Sequence, residues 1–252
     1  MSQSHSDNER IGGFHAVVSV LESDRPVRRL WLAAGRHGGR HDKLVMLAEA
    51  RGVPVDNVAM DRLDAWLPNV RHQGCVIELE PAREYKESEL PALLAAVDSP
   101  MVLALDQVQD PHNLGACLRS AAAAGVHAVI APRKRAAGLT AAARKVAAGA
   151  AERVPFVPVT NLARALQRLQ AEGFWVVGLD GEAESSIYET DLPEPVVWVA
   201  GGEAKGLREL TAKHCDLLVF IPMAGGMESL NVSVATAVAL FETVRRRRAA
   251  NY

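Results

Sequence analysis

Short apolar runs alternate with helix-like stretches from residue 101 onward, and this alternation constrains the fold more than any other feature of the chain. The runs have the length and composition of buried strands. They lie at residues 101–105, 128–131, 154–157, 175–179, 196–199 and 217–221. The helical stretches lie at residues 114–124, 140–149, 162–172, 207–212 and 232–248. Strands that alternate with helices form a parallel sheet covered on both faces, so we predict an α/β domain over residues 100–252.

A smaller α/β unit is predicted upstream, over residues 11–80, and its size suits a separate domain. Its helices are expected at residues 14–22, 43–51 and 62–67, and its strands at residues 29–32, 54–57 and 74–79. Residues 81–99 are charged and contain Pro81 and Pro91, which predicts a linker with a short helix at residues 90–97. The polar first ten residues are expected to be disordered.

The composition is typical of a soluble globular protein. Of the 252 residues, 49% are hydrophobic and 23% are charged, so the chain can form a substantial core. No run approaches the roughly 18 apolar residues of a membrane span, and the start has no signal core, so we expect a cytoplasmic protein. Cys75, Cys117 and Cys215 are far apart and have no CxxC spacing. They are therefore expected to be core thiols, with neither a disulfide framework nor a metal site.

The chain contains two basic segments, although its net charge is −2. Residues 25–43 hold five arginines and one lysine against the single Asp42, with His37 and His41 among them. Residues 111–151 contain no acidic residue, and their basic residues are Arg119, Arg133, Lys134, Arg135, Arg144 and Lys145. Local basic patches on a mildly acidic protein favour contact with a polyanion. For either patch alone, a solvated charged face remains the alternative.

The first of three polar loops follows the strand at residues 101–105. Its sequence, QVQDPHNLGACLRS, places Asn113 where it could cap the next helix. Arg119 lies further along that helix among small and apolar residues. Such an arginine either faces solvent or is held for a chemical task. A surface arginine beside an ordinary asparagine cap would explain this loop if it stood alone.

The second loop, AGGEAKGL, follows the strand at residues 196–199 and places Glu203 between glycines. Gly201 and Gly202 permit positive φ and a close approach of the backbone to a ligand. The loop is not the GxGxxG dinucleotide fingerprint, because no acidic residue lies at the required distance in a βαβ unit, and this disfavours a nicotinamide-dependent oxidoreductase. The carboxylate of Glu203 could instead only cap the following helix.

The third loop, MAGGMESLN, places Ser229 and Asn231 directly before a long helix. Both side chains can accept hydrogen bonds from free N–H groups of the helix N-terminus. Gly225 and Gly226 give the loop backbone unusual freedom. The arginines at residues 245–248 fit either the dipole of the helix C-terminus or a contact with RNA.

Taken together, the three loops resemble the signature motifs of the SpoU (TrmH-like) branch of the SPOUT RNA 2'-O-methyltransferases. The matching segments are NLGACLRSA, AGGEAKGL and IPMAGGMESLNVSVATAVALFE. The likeness extends to HQG at residues 72–74 and to LTAKHCD before the last strand, and it covers residues 11–246. One departure is the alanine that follows the glutamate of the second motif, where a glycine is common.

The resemblance implies a fold, a reaction and partners. The fold would be a parallel-sheet catalytic domain with a C-terminal deep trefoil knot, preceded by a small RNA-binding domain of ribosomal-protein type. The reaction would be methylation of a ribose 2'-hydroxyl of RNA by S-adenosylmethionine, with a guanosine of 23S rRNA as the expected target. The enzyme would act as a homodimer in which residues of both subunits complete one site. The small-residue surfaces of residues 114–124 and 232–244 could form the dimer interface.

The resemblance also implies which residues form the site. The catalytic set would be Asn113, Arg119, Glu203, Ser229 and Asn231, and the cofactor set would be Gly201, Ile221 and Leu230. A guanidinium with a pKa above roughly 12 is a poor general base. We therefore expect Arg119 to stabilise the developing alkoxide or to hold a phosphate, and Glu203 to orient Arg119. Asn113, Ser229 and Asn231 would fix the loops and the ribose.

Two other functions remain open at this point. A non-catalytic RNA-binding or ribosome-assembly protein could keep the fold without the chemistry, although the five motif residues are all present. A 2'-O-methyltransferase acting on tRNA would use the same motifs on another substrate.

Overall fold

A computed structural model describes residues 10–23, 25–35, 38–79, 83, 85–202, 206–226 and 229–250. The N-terminus is expected from the sequence to be disordered, and its residues 1–9 lie outside the described residues. The chain divides into two compact units, Met1–Ala82 and Arg83–Tyr252. The segment after residue 85 belongs to the second unit, because Glu87 accepts hydrogen bonds from the backbone N–H of Thr160 and from Arg168.

The first unit is built around a four-stranded mixed sheet in the order β1-β4-β2-β3. The strands are β1 (Arg10–Gly12), β2 (Val27–Ala33), β3 (Val55–Val58) and β4 (Cys75–Leu79). Strands β2 and β3 are parallel, and β4 is antiparallel to both of its neighbours. The helices are α1 (Phe14–Leu21), α2 (Gly39–Ala50) and α3 (Met60–Trp66). Every residue of β4 is buried, because the sheet has apolar clusters on both faces.

The second unit has a seven-stranded sheet in the order β7-β6-β5-β10-β8-β11-β9, and all of its strand pairs are parallel. The strands are β5 (Met101–Asp106), β6 (Ala128–Pro132), β7 (Phe156–Val159), β8 (Trp175–Leu179), β9 (Ser185–Ser186), β10 (Val196–Gly201) and β11 (Leu217–Phe220). The predicted parallel α/β sheet is therefore confirmed. Because the strands are parallel, their carboxyl ends meet at one edge, and the loops that follow β5, β10 and β11 all begin there.

Helices cover both faces of this sheet and exclude water from it. They are α4 (Leu90–Leu94), α5 (Pro111–Ala124), α6 (Ala141–Ala147), α7 (Leu162–Ala171), α8 (Glu209–Ala212) and α9 (Val232–Ala250), with short 3₁₀ turns at Glu87–Glu89 and Ala150–Glu152. One apolar cluster joins the sheet to α5, α6 and α9, and the other joins it to α4 and α7. Trp198 of β10 is fully buried, and its indole Nε1 donates to Thr243 Oγ1 of α9 at 2.9 Å.

Helix α5 begins earlier than the sequence analysis predicts. Pro111 occupies its first turn, where a missing N–H costs nothing, and Asp110 is the N-cap. The Asp110 carboxylate accepts from the backbone N–H of His112 at 2.8 Å. The prediction that Asn113 caps this helix is therefore wrong, because Asp110 is the cap and Asn113 lies inside the first turn.

The small residues of α5 serve packing within the chain. A Cβ at Gly115 would lie 2.5 Å from the carbonyl oxygen of Ala143, so glycine is what allows α6 to approach α5. On the side facing α9, Cys117 Sγ lies 3.8 Å from Thr236 Oγ1, and both residues are buried. These surfaces of α5 and α9 are therefore covered by each other and by α6. The side of α9 that stays exposed carries Val234 and Phe241.

Candidate functional site

A cavity of about 520 Å³ opens at the carboxyl edge of the second unit's sheet. It lies at the ends of β8, β10 and β11, where a ligand of an open parallel sheet is expected. Its walls come from these strand ends, from the second and third polar loops and from the start of α9: Leu179, Asp180, Gly181, Ala200, Gly201, Gly202, Gly206, Val219, Phe220, Ile221, Met223, Ser229, Leu230, Val232 and Ala235. Ser229 and the three predicted cofactor residues Gly201, Ile221 and Leu230 are thus brought together around one space.

The second loop turns back sharply against its own strand. A Cβ at Gly201 would lie 2.1 Å from the carbonyl carbon of Gly206, closer than any side chain is accommodated. Gly202 and Gly206 form an isolated β-bridge, and among the described residues of the loop Gly206 has a positive φ, of 62°. Gly201 is therefore needed for close backbone approach, and the expected positive φ falls at the far end of the loop. Glu203 lies outside the described residues.

An ion pair between a buried carboxylate and a partly exposed arginine fastens the end of this loop to the sheet. Asp106, the last residue of β5, is fully buried, and its Oδ1 accepts from Nε and Nη2 of Arg208 at 2.7 and 2.6 Å. Its other oxygen accepts from the backbone N–H of Arg208 at 3.1 Å. The pair joins β5 to the residue directly before α8, so the glycine loop is anchored on both sides.

Asn113 and Asn231 join the first and third loops. The Nδ2 of Asn231 donates to Oδ1 of Asn113 at 3.1 Å. The Oδ1 of Asn231 accepts from the backbone N–H and from Oγ of Ser233, at 2.9 and 2.7 Å, which caps α9. Asn231 thus directs its carbonyl to the helix and its amide to Asn113. The N-termini of α5 and α9, which carry partial positive charge, are held together beside the cavity wall at Leu230.

Arg119 stays apart from this group. It is exposed on α5, it is not one of the residues that line the cavity, and it makes no hydrogen bond or ion pair with the residues that the structure describes. A long cation with no partner among the described residues is available to a substrate or to another subunit.

Several residues that line the cavity were not predicted from the sequence. Asp180 and Gly181 directly follow β8, and Phe220 and Met223 flank the end of β11. Ligands lie at the carboxyl ends of parallel strands, and Asp180 directly follows β8 at that edge. Its position at a strand end is therefore the sequence signal that indicates it. The ion pair of Asp106 and Arg208 gave no comparable sequence signal, because its members are far apart along the chain.

Cys215 lies beneath this region as a half-buried thiol. Burial, and then the negative charges of Asp216, Asp106 and Asp180, raise its pKa to about 12. The thiol is therefore neutral and unreactive at physiological pH. Cys75 and Cys117 are buried thiols, as the sequence predicts.

The basic segment at residues 25–43 is only partly available to a polyanion. Arg28 and Arg29 form ion pairs with Glu78 and Asp56 of the neighbouring strands. Arg40 and His41 line a separate cavity of about 400 Å³ in the first unit, together with Phe14, Leu32, Leu44, Arg71, Gln73, Gly74 and Cys75. The guanidinium of Arg40 lies 5.4 Å from the ring centroid of Phe14. A basic group beside an aromatic ring is typical of surfaces that bind single-stranded RNA.

The arginines at the end of α9 serve the fold. Arg246 donates to the carbonyl oxygens of Thr190, Ile187 and Tyr188, and Arg247 donates to Glu194 and to the carbonyl oxygen of Ser99. These bonds tie the last helix to the second unit, so the structural alternative accounts for both residues.

Two classes of site find no support in the part of the chain that the structure covers. None of its helices is both long and apolar enough to cross a membrane. None of its histidine, cysteine and carboxylate side chains cluster in a way that could hold a metal ion.

Comparison with known proteins places this site in a family. Residues 100–241 match the SpoU rRNA Methylase family, and residues 10–85 match the domain described as RNA 2'-O ribose methyltransferase substrate binding. The 23S rRNA (guanosine-2'-O-)-methyltransferase RlmB of Pseudomonas putida is 51% identical over 245 residues, which are 96% of this chain and 98% of that protein. The protein of the same name from Escherichia coli K12 is 48% identical, over 95% of this chain and 99% of that one.

A solved structure has the same fold. The SpoU methyltransferase AviRb from Streptomyces viridochromogenes, in complex with the cofactor AdoMet, matches with a TM-score of 0.71 and 25% identity. The match covers 95% of this chain and 90% of that one. Since one family covers more than half of the chain and full-length relatives share about half of its residues, this chain belongs to the SpoU rRNA methylase family.

Proposed function

We propose that this protein methylates a ribose 2'-hydroxyl of RNA with S-adenosylmethionine as the methyl donor, and that the target is a guanosine of 23S rRNA. The observation that carries the proposal is the convergence of the motif loops: Gly201, Ile221, Ser229 and Leu230 surround one cavity, and Asn231, which follows that wall, bonds Asn113. The target is supported by the full-length relatives named for that reaction. Because the full-length relatives are named as rRNA-modifying enzymes, we expect the activity in the cytoplasm.

The cavity suits S-adenosylmethionine in size and chemistry. Its volume of about 520 Å³ lies within the range of small-ligand sites, and it combines apolar walls such as Val219 and Ile221 with backbone groups of the glycine loop. The close turn at Gly201 leaves no room for a Cβ, so backbone atoms form this wall. Gly201, Ile221 and Leu230 would hold the cofactor, which supplies a methyl group activated by its sulfonium.

The residues around the cavity bind and orient the acceptor. Asn231 and Asn113 are fixed relative to each other by their hydrogen bond, so the two loops present a preorganised polar surface to the ribose. Ser229 stands on the cavity wall as a further hydrogen-bonding group. A guanidinium cannot take the proton of a hydroxyl, but it can stabilise the developing alkoxide. This is the role that we assign to Arg119, with Glu203 to orient it.

We place Arg119 in the site of a second subunit. Its exposure and its absence from the cavity of its own chain support this arrangement, as does the apolar exposed side of α9. Val234 and Phe241, seven residues apart and therefore on one side of the helix, are each 47% exposed. We call this side of α9 the exposed stripe. In a homodimer, the exposed stripes of the two subunits could pack against each other, which would remove apolar surface from water.

We also propose that the C-terminal segment threads a trefoil knot. Support comes from the strand order: β10 lies between β5 and β8, and β11 lies between β8 and β9, so late strands occupy places between earlier ones. Such an order is compatible with a chain that passes back through connections already made. The first unit would dock the RNA, with the Phe14, Arg40 and Arg71 cavity as its contact surface.

Methylation mapping tests the proposed function. Ribosomal RNA from a strain that lacks the gene should have lost one guanosine 2'-O-methylation in 23S rRNA, and the purified protein with S-adenosylmethionine should restore it. Loss of a tRNA methylation instead would identify the tRNA enzyme. Binding of 23S rRNA without methyl transfer would identify the non-catalytic assembly protein.

Complementation tests the placement of Arg119. Arg119→Ala and Gly201→Ala should each abolish activity in a homodimer. After the two variants are mixed and allowed to exchange subunits, about a quarter of wild-type activity should return if each site combines the cavity of one subunit with Arg119 of the other. No recovery, with exchange verified by mass spectrometry of differently tagged subunits, would put Arg119 in its own subunit's site.

A further inference from the structure

A second cavity, which none of the motif loops explains, opens at the same sheet edge of the second unit. It has a volume of about 570 Å³ and lies where β6 and β7 end. Its walls are Arg83, Tyr85, Lys86, Pro132, Arg133, Ala136, Ala137, Gly138, Leu139, Arg144, Phe156 and Pro158. Four of these residues are cations, and no carboxylate is among the described residues that form the wall. The cavity therefore attracts an anion.

The cations differ in how they are held. Arg144 is 18% exposed and lies 3.7 Å from Glu152, which keeps it at the wall. Arg133 follows β6 directly, is exposed, and makes no side-chain hydrogen bond or ion pair within the described ranges. It belongs to the second basic segment found in the sequence, residues 111–151, among whose basic residues the proposed methyl-transfer site uses only Arg119. An arginine that lines a cationic cavity and has no side-chain partner among the described residues fits a phosphate oxygen.

A flat surface lies on the same wall. The guanidinium of Arg83 lies 4.6 Å from the ring centroid of Tyr85, and Glu89 holds the same guanidinium at 2.5 Å. Tyr85 in turn packs against the apolar cluster beneath α4. The stacked pair is therefore fixed before any ligand arrives. Bases of single-stranded RNA stack on aromatic rings and on guanidinium planes, and this platform offers both.

We propose that this cavity holds one nucleotide of the substrate RNA strand, with its phosphate on Arg133 and Arg144 and its base stacked on the Arg83–Tyr85 pair. The inference rests on the proposed RNA methylation. The strand order puts β5 between the two cavities, and α5 with Asn113 follows β5. The cavity centres are separated by three to four strand spacings, roughly 15 to 20 Å. A short stretch of single-stranded RNA covers this distance, so the nucleotide would flank the methylated one.

Matched substitutions test the nucleotide site. Arg133→Ala removes a cavity charge, whereas Lys134→Ala removes the same charge from the next residue, which does not line the cavity. With 23S rRNA from cells that lack the gene, Arg133→Ala should raise KM for the RNA roughly tenfold and lower the salt dependence of binding by about one unit of slope. Its kcat and its affinity for S-adenosylmethionine should stay within twofold of wild type, and Lys134→Ala should have much the smaller effect.

A second pair of variants, at Tyr85, separates the contribution of stacking to RNA binding from that of charge. Tyr85→Phe keeps the ring and should bind RNA as wild type does, whereas Tyr85→Ala should weaken binding, with melting temperature as the check on folding. Equal KM values for Arg133→Ala and Lys134→Ala would overturn the nucleotide site. If the wild-type protein methylated no rRNA, the proposed function would fail on its own, and binding of a short mixed-sequence single-stranded RNA to the same variants would still decide the inference.

Discussion

Single residues at the carboxyl edge determine the shape of the proposed cofactor cavity. Gly201 lets the second loop fold back against its own strand, and the Asp106–Arg208 pair keeps the far end of that loop in place. Asn231 divides its amide group between capping α9 and bonding Asn113. Each contact is specific to a side chain, so each can be removed separately from the others.

Gly201→Ala should reduce the affinity for S-adenosylmethionine by at least tenfold, because the added Cβ would lie 2.1 Å from the backbone of Gly206 and would force the turn open. Gly225→Ala is the matched control, since a Cβ there meets nothing within 4 Å and the residue does not have positive φ. Isothermal titration with the cofactor measures both. Equal affinities for the two variants would show that the turn does not shape the cofactor site.

Arg208→Ala should destabilise the protein by about 1 to 3 kcal/mol, because it leaves the buried carboxylate of Asp106 without its cation while the bond from the backbone N–H remains. The double variant Asp106→Asn with Arg208→Ala should recover part of this loss, since no unpaired charge remains. Urea unfolding measures the free energy of unfolding of each. If the double variant were less stable than wild type by the sum of the losses measured for Asp106→Asn and Arg208→Ala alone, the pair would not be coupled.

At the scale of the elements, the long helix α9 connects the site to the rest of the second unit. Its N-terminus is capped by Asn231 at the site, and its last turns are tied down by arginines. Glu242 organises this end: it is buried and accepts from Arg245 at 2.8 Å and from Arg246 at 2.7 Å. The hydrogen bond from Arg245, and then that from Arg246, hold the pKa of Glu242 below its ordinary value.

Glu242→Gln should lower the free energy of unfolding at pH 7 by about 2 kcal/mol. Because the folded pKa of Glu242 is depressed, its contribution is complete above the unfolded value near 4.3 and is lost as pH falls through the folded pKa. The difference in free energy of unfolding between wild type and Glu242→Gln should therefore become smaller as the pH falls below about 4. Glu209→Gln is the control, since the Glu209–Lys213 pair is exposed and should contribute almost nothing. Melting curves recorded from pH 7 down to pH 3 measure this difference. A difference in stability that did not change with pH would contradict the prediction.

The elements that could be predicted from the sequence are those with strong periodicity. The six strand-like runs from residue 101 and the helices between them are present, with ends shifted by a few residues. Strands β1 and β9 were missed because they have three and two residues and no apolar alternation. The start of α5 was misplaced because Asp110 and Asn113 are both good caps, and only the compatibility of Pro111 with a first turn separates them.

The candidate site was predictable only in part. The motifs and the strand-end rule led to Gly201, Ile221, Ser229 and Leu230, which line the cavity. The bond between Asn113 and Asn231 and the ion pair of Asp106 with Arg208 depend on the sheet order, and the order is set by packing between segments far apart in sequence. Periodicity carries no information about which strand pairs with which.

At the scale of the whole molecule, the two units divide the proposed work. The first unit brings RNA-binding groups such as Arg40 and Phe14, and the second carries the cavity and its loops. The exposed stripe of α9 adds a proposed second copy to this scheme. An enzyme that needs Arg119 from another subunit would be inactive as a monomer, so its activity would depend on protein concentration.

Phe241→Glu should convert the proposed dimer to a monomer, because it places a charge in the middle of an apolar contact. Methyl transfer should fall together with the dimer fraction, and the affinity of the cavity for S-adenosylmethionine should change less. Leu210→Glu is the control, since Leu210 is 58% exposed on α8, away from the stripe. Sedimentation velocity reports the oligomeric state. A Phe241→Glu variant that stayed dimeric would exclude this side of α9 as the interface.

The central position of β10 has a consequence for biosynthesis. Until Val196–Gly201 has left the ribosome, β5 and β8 each lack a neighbour, and the growing chain exposes two open strand edges in the middle of the future sheet. The cap of α9 and the part of the cavity wall that follows β10 come later still. A nascent chain therefore has no methyl-donor pocket, and prematurely terminated chains should be recognised by chaperones and proteases before they can act on RNA.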